Sequence, residues 1–354
     1  MASLPTLLPR AARWSGPERA AARRARPAVR FLLCFAAGLA APVLILALLF
    51  AVLDAAGHLR APAFANRLSF DEKLRQLRAR PPREVEVLLV GSSATLHGLD
   101  GAILDKRLGL TGEVLNLGTQ SLRLNHIRFL ATTFTAHYAD VAHLIMVSTL
   151  PDYLDCSAEG TAFFAPDDAF AYIEGRGSEI YYQFKYLNLT GLRKRARALP
   201  RLRDAADHLD SVAFDRHGSL LLDVPRKRIP NRIWKGVPVK LDPRCYEALR
   251  RLALDLEARD IRFTYVIAPM RPGYLEGRDP TGRKRAEHLE RLETALEGTG
   301  VRVIDAHTAL AFPDRAFFDA YHLKRPEART LTRFLAERLD GTAATDPPRP
   351  AGNG

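Results

Sequence analysis

The hydrophobic positions of the chain form one unbroken apolar run, followed by short apolar segments at intervals. Residues 31–53 are 23 consecutive uncharged residues. At about 1.5 Å per residue, a helix of this length crosses the ~30 Å hydrocarbon core of a bilayer. A signal peptide has a shorter apolar region of about 7–15 residues and a small-residue cleavage site, which the sequence after residue 53 matches poorly. The run therefore predicts one transmembrane helix.

Beyond this run, strand-like segments alternate with segments of helical periodicity. Strands are predicted at 84–90, 113–118, 142–148, 261–269 and 301–305. Amphipathic spacing predicts helices at about 67–80, 121–138, 244–260, 283–298 and 326–339. The near-continuous apolar segment 142–148 is typical of a strand that is covered on both faces. The alternation indicates an α/β fold, a doubly wound domain with a mostly parallel five-stranded sheet.

The alternation also predicts the organisation of the chain. The expected parts are a basic leader (1–30), the transmembrane helix (31–53), a stalk (54–83), the α/β domain (84–340) with an insertion at about 153–242, and a disordered tail (341–354). The insertion is rich in aromatic residues between 153 and 186 and carries a basic segment at 193–203. Its aromatic residues form either the insertion's own core or a platform on which carbohydrate stacks.

The distribution of charge changes which partners are expected. The chain of 354 residues carries a net charge of +12, and residues 1–30, with seven Arg and one Glu, hold +6 of it. The remainder is spread without a basic stripe, so nucleic acid is not an expected partner. Basic residues flank membrane helices on the cytoplasmic side. We therefore expect a cytoplasmic leader, with everything from about residue 54 onward outside the cytoplasm.

The three cysteines leave two alternatives open. Cys34 lies in the apolar run, whereas Cys156 and Cys245 flank the irregular central region. In an oxidising compartment the latter two either form one disulfide or remain two separate buried thiols. No C-x-x-C or H-E-x-x-H pattern occurs, and no metal site is predicted.

Candidate chemistry lies after the strands, because ligands of open α/β sheets bind beyond the carboxyl ends of the strands. The tight turn 91–93 follows the first strand and carries two serines. The small residues of 116–121 follow the second strand and allow backbone N–H groups to point into a cleft, as an oxyanion hole requires. Asp152 follows the third strand. Asp319 precedes His322 by three residues, a spacing at which a carboxylate can orient an imidazole toward a nucleophile.

A second acidic residue and histidine compete for this role, since Asp305 and His307 lie at the end of the fifth strand. We favour Asp319 and His322 because they directly precede an amphipathic terminal helix. Other polar candidates are expected to be surface or packing residues: His97, Asn125, His126, His137 and His143.

Together these segments resemble the SGNH (GDSL-like) hydrolase superfamily, whose conserved blocks occur in the same order. The turn GSSATLHG resembles block one, with Ser93 at the nucleophile position and Ser92 where many members have Asp. NLGTQS looks like block two, with Ser121 at the position of the oxyanion glycine. FFDAYHLKRPEARTLTRFLAERL is similar to block five, with Asp319 and His322 at the matched triad positions.

The resemblance implies a flavodoxin-like three-layer α/β/α sandwich and a Ser–His–Asp triad. Backbone N–H groups of Ser93 and Ser121 would bind the oxyanion, and no metal or dissociable cofactor would be required. The remaining site neighbours are expected to be Ser92, Asn116, Gly118 and Asp152.

With its membrane helix and its insertion, the chain resembles more narrowly the periplasmic SGNH-like proteins of bacterial alginate and cellulose acetylation and the teichoic-acid D-alanylation protein. This subgroup implies an acyltransferase or esterase acting on acyl, most simply O-acetyl, groups of a surface polysaccharide. It also implies a multispanning membrane acyltransferase as a partner. The expected location is the cytoplasmic (inner) membrane, with the domain in the periplasm.

One departure from the family pattern supports a different function. Block three of the family supplies an Asn that donates to the oxyanion, but this chain has Thr149-Leu150-Pro151-Asp152 there. Losing one such donor typically lowers the rate by about 10²–10³. The alternative hypothesis is therefore a catalytically silent SGNH-fold protein that binds glycan or serves as a scaffold in a polysaccharide export complex.

The charge asymmetry around the apolar run makes topology testable. A reporter enzyme that is active only outside the cytoplasm, fused after residue 340, should be active because the arginines before residue 31 remain inside. The measurement is reporter activity in intact cells, beside a matched reporter that is active only in the cytoplasm. Activity of the cytoplasmic reporter alone would contradict the expected orientation.

Overall fold

A parallel five-stranded sheet organises the chain beyond residue 84. The computed structural model describes residues 16–157, 161–224 and 240–340, with side chains from residue 27. The strands are β1 (Val85–Gly91), β2 (Glu113–Asn116), β3 (His143–Ser148), β4 (Arg262–Ile267) and β5 (Arg302–Asp305). Their order, β2-β1-β3-β4-β5, is the flavodoxin-like doubly wound order. The predicted α/β fold is confirmed, and every pairing among these strands is parallel.

Helices precede and connect the strands. In chain order they are α1 (Gly16–Ala55), α2 (Leu68–Ala79), α3 (Ser93–Gly98), α4 (Gly101–Leu108), α5 (Leu124–His137), α6 (Pro166–Ile173), α7 (Glu179–Lys185), α8 (Leu189–Arg195), α9 (Leu199–Asp204), α10 (Pro243–Glu257), α11 (Pro272–Arg278), α12 (Arg283–Leu296), α13 (Ala306–Leu310) and α14 (Arg325–Leu339). Capping follows ordinary rules in several of them. Asp100 and Asp242, for example, accept hydrogen bonds from the first-turn N–H groups of α4 and α10.

Helices cover both faces of the sheet, and the central strands β1 and β3 are buried at nearly every position. Leu88 and Val90 of β1 pack with α2, α5, α10 and α12 on one face. Val87 and Leu89 pack with α3, α4, α13 and α14 on the other face. Successive side chains of a strand point to opposite faces, and a strand buried on both sides therefore needs an apolar residue at nearly every position.

In the described residues, α1 makes up the N-terminal unit. Within it, Pro27–Ala55 has a mean hydropathy of 2.6 over its most apolar stretch, none of which is buried, and the helix is long enough to cross a membrane. The predicted span 31–53 lies inside this helix. Residues 1–15 of the predicted leader and the predicted tail 341–354 lie outside the described residues.

Residues 57–83 belong to the α/β unit, although the sequence predicts a separate stalk at 54–83. Phe64, Phe70, Leu74 and Leu77 lie in the same apolar core as β1 and α5. The charged residues at 71–73 of α2 are buried as well. A helix with three charged residues in a row is usually solvated, whereas these three have buried partners.

In its described residues, the insertion contains the short helices α6 to α9, and its buried aromatic rings join the apolar core that also holds α2 and α5. Phe64, for example, packs against Tyr172 and Tyr186 with ring centroids 5.0 and 4.7 Å apart. Of the two alternatives for these aromatic residues, packing is the one seen for the rings that are buried. A disulfide joins Cys156 to Cys245 across 89 residues and closes the base of the insertion.

Two truncations test where the folded unit begins. A fragment of residues 57–340 should be soluble and unfold cooperatively, because it retains the core side chains of α2. A fragment of residues 84–340 should aggregate, since losing four buried apolar side chains removes about 1.5–3 kcal/mol each and exposes the surface they cover. Circular dichroism melts and size-exclusion profiles distinguish the two. Equal behaviour of the fragments would show that α2 is dispensable.

Candidate active site

The turn after β1 is built so that a serine begins the next helix. Gly91 has φ +152°, and a Cβ placed there would lie on Thr95 Oγ1 and 2.9 Å from the carbonyl oxygen of Val147. Only glycine fits this position. Ser92 then caps α3, because its Oγ accepts a hydrogen bond from the Ala94 N–H. Ser93 is consequently the first residue of α3.

A second turn, just before α14, carries the acidic residue and histidine. The Phe318 N–H donates to the carbonyl of His322 at 2.7 Å, and the Lys324 N–H donates to the carbonyl of Ala316 at 3.0 Å. Within this turn, Asp319 Oδ1 accepts hydrogen bonds from the N–H groups of Tyr321 and His322. These backbone N–H groups therefore hold the Asp319 carboxylate independently of its contact with the His322 ring.

The two turns bring three predicted residues into one hydrogen-bonded chain. His322 Nε2 lies 2.7 Å from Ser93 Oγ, and His322 Nδ1 lies 2.7 Å from Asp319 Oδ2. Ser93 and His322 are 229 residues apart in sequence. Ser93 retains 9% of its surface, and the other two are buried. We call Ser93, His322 and Asp319 the relay.

The charge state of Asp319 sets the direction of the relay. Burial alone would raise the pKa of this carboxyl, but its electrostatic interaction with His322 and hydrogen bonds from His322 and Tyr321 outweigh that effect, so its pKa lies below its ordinary value. An ionised Asp319 favours the tautomer of His322 that carries its proton on Nδ1. Nε2 is then the acceptor for the Ser93 hydroxyl, the arrangement that general-base activation of a serine requires.

His97 also contacts the relay, which the sequence analysis did not predict. Its ring lies edge-on to His322 with centroids 5.3 Å apart, and its Nδ1 donates to the carbonyl of Leu220 at 2.8 Å. Burial and the neighbouring His322 charge lower the pKa of His97 to about 3, so the ring is neutral. The spacing of Ser93 and His97, four residues apart on α3, places both on one helix face and was the available signal.

The segment after β2 lies against α3. The Thr119 N–H donates to the carbonyl of Gly91, and Asn116 Nδ2 donates to the carbonyl of Thr95. A Cβ on Gly118 would lie 2.5 Å from the Leu96 nitrogen, so the close approach requires glycine. Asn116 and Gly118 thus hold the segment in place, and neither is hydrogen-bonded to Ser93, His322 or Asp319 in the described residues.

Ser121 adopts the backbone conformation that glycine adopts most easily. Its φ is +61°, in the left-handed region, at the position where the resemblance expects glycine. Within the described ranges, the N–H groups of Ser93 and Ser121 donate to no protein atom. Both N–H groups are consistent with the predicted oxyanion role.

A buried lysine on α2 holds the segment after β2 in place. Lys73 Nζ on α2 donates to the carbonyls of Asn116 and Gly118, both at 2.7 Å. Burial lowers the pKa of Lys73 to about 7, although Asp215 partly offsets the shift. A neutral amine has two N–H bonds and an ammonium has three, so both forms satisfy the two carbonyls. Lys73 was missed because nothing in the sequence links position 73 to a loop more than forty residues away.

Asp152 is bound within its own loop. Its Oδ2 accepts hydrogen bonds from Ser148 Oγ and the Thr149 N–H, both at 2.9 Å. Burial raises the pKa of this carboxyl, and hydrogen bonds from Thr149, Ser92 and Ser148 oppose the increase. Through Ser92, Ser148 and Thr149, Asp152 therefore ties the ends of β1 and β3 together, at the position where the resemblance expects an amide donor.

The competing pair does not reach Ser93. Asp305 Oδ1 caps α13 at the Thr308 N–H, and His307 Nδ1 accepts from the Met270 N–H. Four other polar candidates make packing or hydrogen-bond contacts away from Ser93. They are Asn125, His126, His137 and His143. In the described part of the chain, no group of three or more His, Cys, Asp or Glu side chains has the arrangement of a metal site.

Comparisons with known proteins add no assignment. No protein-family model matches the sequence, and no curated protein is significantly similar to it.

Lys73 gives the protein a measurable pH dependence. Its pKa is about 7 in the folded chain, and unfolding returns it to the ordinary value of about 10.4. Between these values the unfolded chain binds more protons, so this group makes stability rise with pH, an increase that is complete above about pH 10. Lys73→Met should destabilise the protein by about 1–3 kcal/mol because two buried carbonyls lose their donor.

The measurement is denaturant unfolding of both proteins in detergent at pH 7, 8 and 9. The stability difference between wild type and Lys73→Met should widen as pH rises. Lys106→Met, at an exposed lysine of α4, serves as the control and should show neither the loss nor the change with pH. A difference that is constant across the series would contradict the buried titration.

Proposed function

We propose that the chain is a membrane-anchored SGNH-type serine acyltransferase or esterase acting on acyl groups of a bacterial surface polysaccharide. The observation that carries the proposal is the relay, with its two 2.7 Å hydrogen bonds between Ser93, His322 and Asp319. A serine, a buried imidazole whose Nε2 faces that serine, and a carboxylate on the other ring nitrogen are the components of nucleophilic acyl transfer.

In the proposed reaction, Ser93 Oγ attacks the carbonyl carbon of an acyl donor while its proton moves to His322 Nε2. Asp319 stabilises the resulting imidazolium. The oxyanion of the tetrahedral intermediate is bound by the N–H groups of Ser93 and Ser121. Collapse breaks the bond to the donor oxygen, which takes the proton from His322 and leaves as an alcohol, and the acyl group stays on Ser93 as an acyl-serine.

The second half-reaction decides between transfer and hydrolysis. His322 removes a proton from a sugar hydroxyl or from water, and that oxygen attacks the acyl-serine. Collapse of the second intermediate releases the acylated sugar or the free acid and restores Ser93. The geometry of the relay serves both outcomes.

The anchoring part of the proposal is supported by Pro27–Ala55 and by the basic leader. We place the leader in the cytoplasm and the α/β unit in the periplasm, at the cytoplasmic membrane. The disulfide Cys156–Cys245 supports this placement, because disulfides persist in oxidising compartments. By its resemblance to the acetylation subgroup, the chain would receive acyl groups from a multispanning membrane acyltransferase.

A silent glycan-binding or scaffold protein remains the second candidate. It is favoured by Asp152, whose carboxyl occupies the block-three position and is bound to Ser148 and Thr149. Without the usual amide, two backbone donors remain for the oxyanion. Such a protein would keep the fold and lack acyl transfer.

Covalent labelling tests the reactive serine. A serine-directed fluorophosphonate should modify Ser93, because that hydroxyl donates to His322, and labelling should be lost in Ser93→Ala. Ser92→Ala is the matched control and should label normally, since Ser92 caps the helix and has no contact with His322. The measurement is peptide mapping by mass spectrometry. No labelling of the folded wild type would favour the silent alternative, and labelling at Ser92 would displace the nucleophile by one residue.

The same variants should separate catalysis from folding. Ser93→Ala should lower acyl release by about 10⁴-fold or more, and Asp319→Asn by about 10²–10⁴-fold because the amide no longer favours the required tautomer. Ser93→Ala should change the free energy of unfolding by less than about 1 kcal/mol. Hydrolysis of a chromogenic acetyl ester, together with polymer acetylation in cells, measures the effect. Normal polymer acetylation with Ser93→Ala would reject the enzyme.

A further inference from the structure

An amphipathic surface lies outside the candidate site, on α7, α8 and the residues that follow them. We call residues 180–197 the 180–197 surface. Apart from α1, six large apolar side chains of the described residues are exposed, and four of them fall within ten residues here. These are Ile180 (37% exposed), Tyr181 (52%), Leu187 (46%) and Leu189 (55%).

The same surface is basic throughout. Residues 180–197 contain five Lys or Arg and no Asp or Glu. Lys185 pairs with Asp168, and Arg195 pairs with Asp210. Arg193, Lys194 and Arg197 make no ion pair in the part of the chain that the structure describes. Three positive charges without an ion pair and four exposed apolar side chains thus share one short stretch.

Hydrogen bonds tie this stretch to the residues by which the chain enters the α/β unit. His58 Nδ1 donates to the carbonyl of Ala196 at 2.7 Å. Arg203 Nη1 donates to the carbonyl of Gly57 at 3.0 Å. A little farther along, Asn188 Nδ2 donates to Asn66 Oδ1 at 2.6 Å. The surface is therefore built around the first residues of the unit.

Those first residues are covalently tethered to the apolar helix. Ala55 ends α1 and Gly57 begins the α/β unit, so two residue steps separate them. An extended chain spans at most about 3.6 Å per residue, and the tether is therefore about 7 Å long. Whatever bilayer α1 crosses, the start of the α/β unit remains near its surface.

We propose that the 180–197 surface rests on the bilayer from which α1 emerges and binds its anionic headgroups. Tyr181 and the leucines would lie at the boundary between headgroups and acyl chains, where amphipathic aromatic rings are favoured. Arg193, Lys194 and Arg197 would contact lipid phosphates, since basic residues at a membrane surface are attracted to anionic lipids. The contact would fix the orientation of the α/β unit above the membrane.

The proposal rests on the anchoring proposed above and is independent of the acyl chemistry. An acidic polysaccharide is the other ligand that this chemistry would fit. The apolar side chains favour the bilayer, because a charged polymer in water gains little from exposed leucines.

A fluorophore on the full chain tests the contact. In a Cys34→Ser background, Leu189→Cys is labelled with an environment-sensitive dye, and Leu254→Cys on α10, which is 44% exposed, is the matched control. The proteins are reconstituted into phosphatidylcholine vesicles with and without phosphatidylglycerol, some carrying nitroxide-labelled lipid. Quenching at position 189 should be several-fold stronger than at position 254, with a blue-shifted emission, and should increase with phosphatidylglycerol.

Charge reversal identifies the groups responsible. Arg193→Glu/Lys194→Glu/Arg197→Glu should abolish the increase with phosphatidylglycerol. A matched triple reversal on other exposed basic residues should retain it: Lys106→Glu, Arg107→Glu and Arg333→Glu. Equal quenching at positions 189 and 254 would overturn the proposal.

A flotation assay distinguishes failure of the membrane anchoring from failure of the surface contact. If the protein does not float with vesicles after alkaline extraction, both the anchoring and the surface contact are rejected. If it floats and position 189 is not quenched, only the surface contact is rejected. A spectral shift at position 189 on adding a uronic-acid polymer, without quenching by lipid, would assign the surface to glycan and overturn the bilayer contact.

Discussion

Parallel pairing of β1 with both of its neighbours is the constraint on which the candidate site depends. The carboxyl ends of parallel strands lie at one edge of the sheet, so the turns after β1, β2 and β3 meet there. Glycines at 91 and 118 then allow these turns to approach to distances that a side chain would forbid. Antiparallel pairing at either position would send one of the three turns to the opposite edge.

Burial of charge on α2 extends this constraint toward the N-terminus of the unit. Asp71 pairs with Arg60, Glu72 pairs with Arg203, and Lys73 holds the carbonyls after β2. Breaking one member of a buried pair leaves an uncompensated charge, which usually costs several kcal/mol. These buried contacts therefore hold three parts of the α/β unit together: the segment that follows α1, the insertion and the loop beside the relay.

The sequence was informative wherever a residue's environment follows from its neighbours in the chain. The first and third strands were predicted within one residue of β1 and β3, because both are apolar at nearly every position. The order of the relay residues followed from a resemblance in which a Ser after a Gly turn and an Asp–His spacing of three recur. Both signals are local.

The features that the sequence does not predict depend on contacts between distant parts of the chain. The burial of residues 71–73 requires partners at 60, 116 and 203, and the sequence pattern of α2 does not indicate which residues those partners are. Helices α3 and α4 are short, and the sequence pattern predicts a turn where α3 forms. The pairing of Cys156 with Cys245 stayed open because two cysteines that flank a long insertion need not meet.

The disulfide closes the insertion into a loop, which we call the cassette. Cys156 and Cys245 have Cα atoms 5.2 Å apart, so the 88 residues between them leave and rejoin the sheet at one place. β3 and β4 pair with each other whatever lies between them in sequence. Yet residues of this cassette return to α3, where the Leu220 N–H donates to the carbonyl of Leu96. A change in the cassette would therefore reach the helix that begins with Ser93, although the pairing of the strands would stay the same.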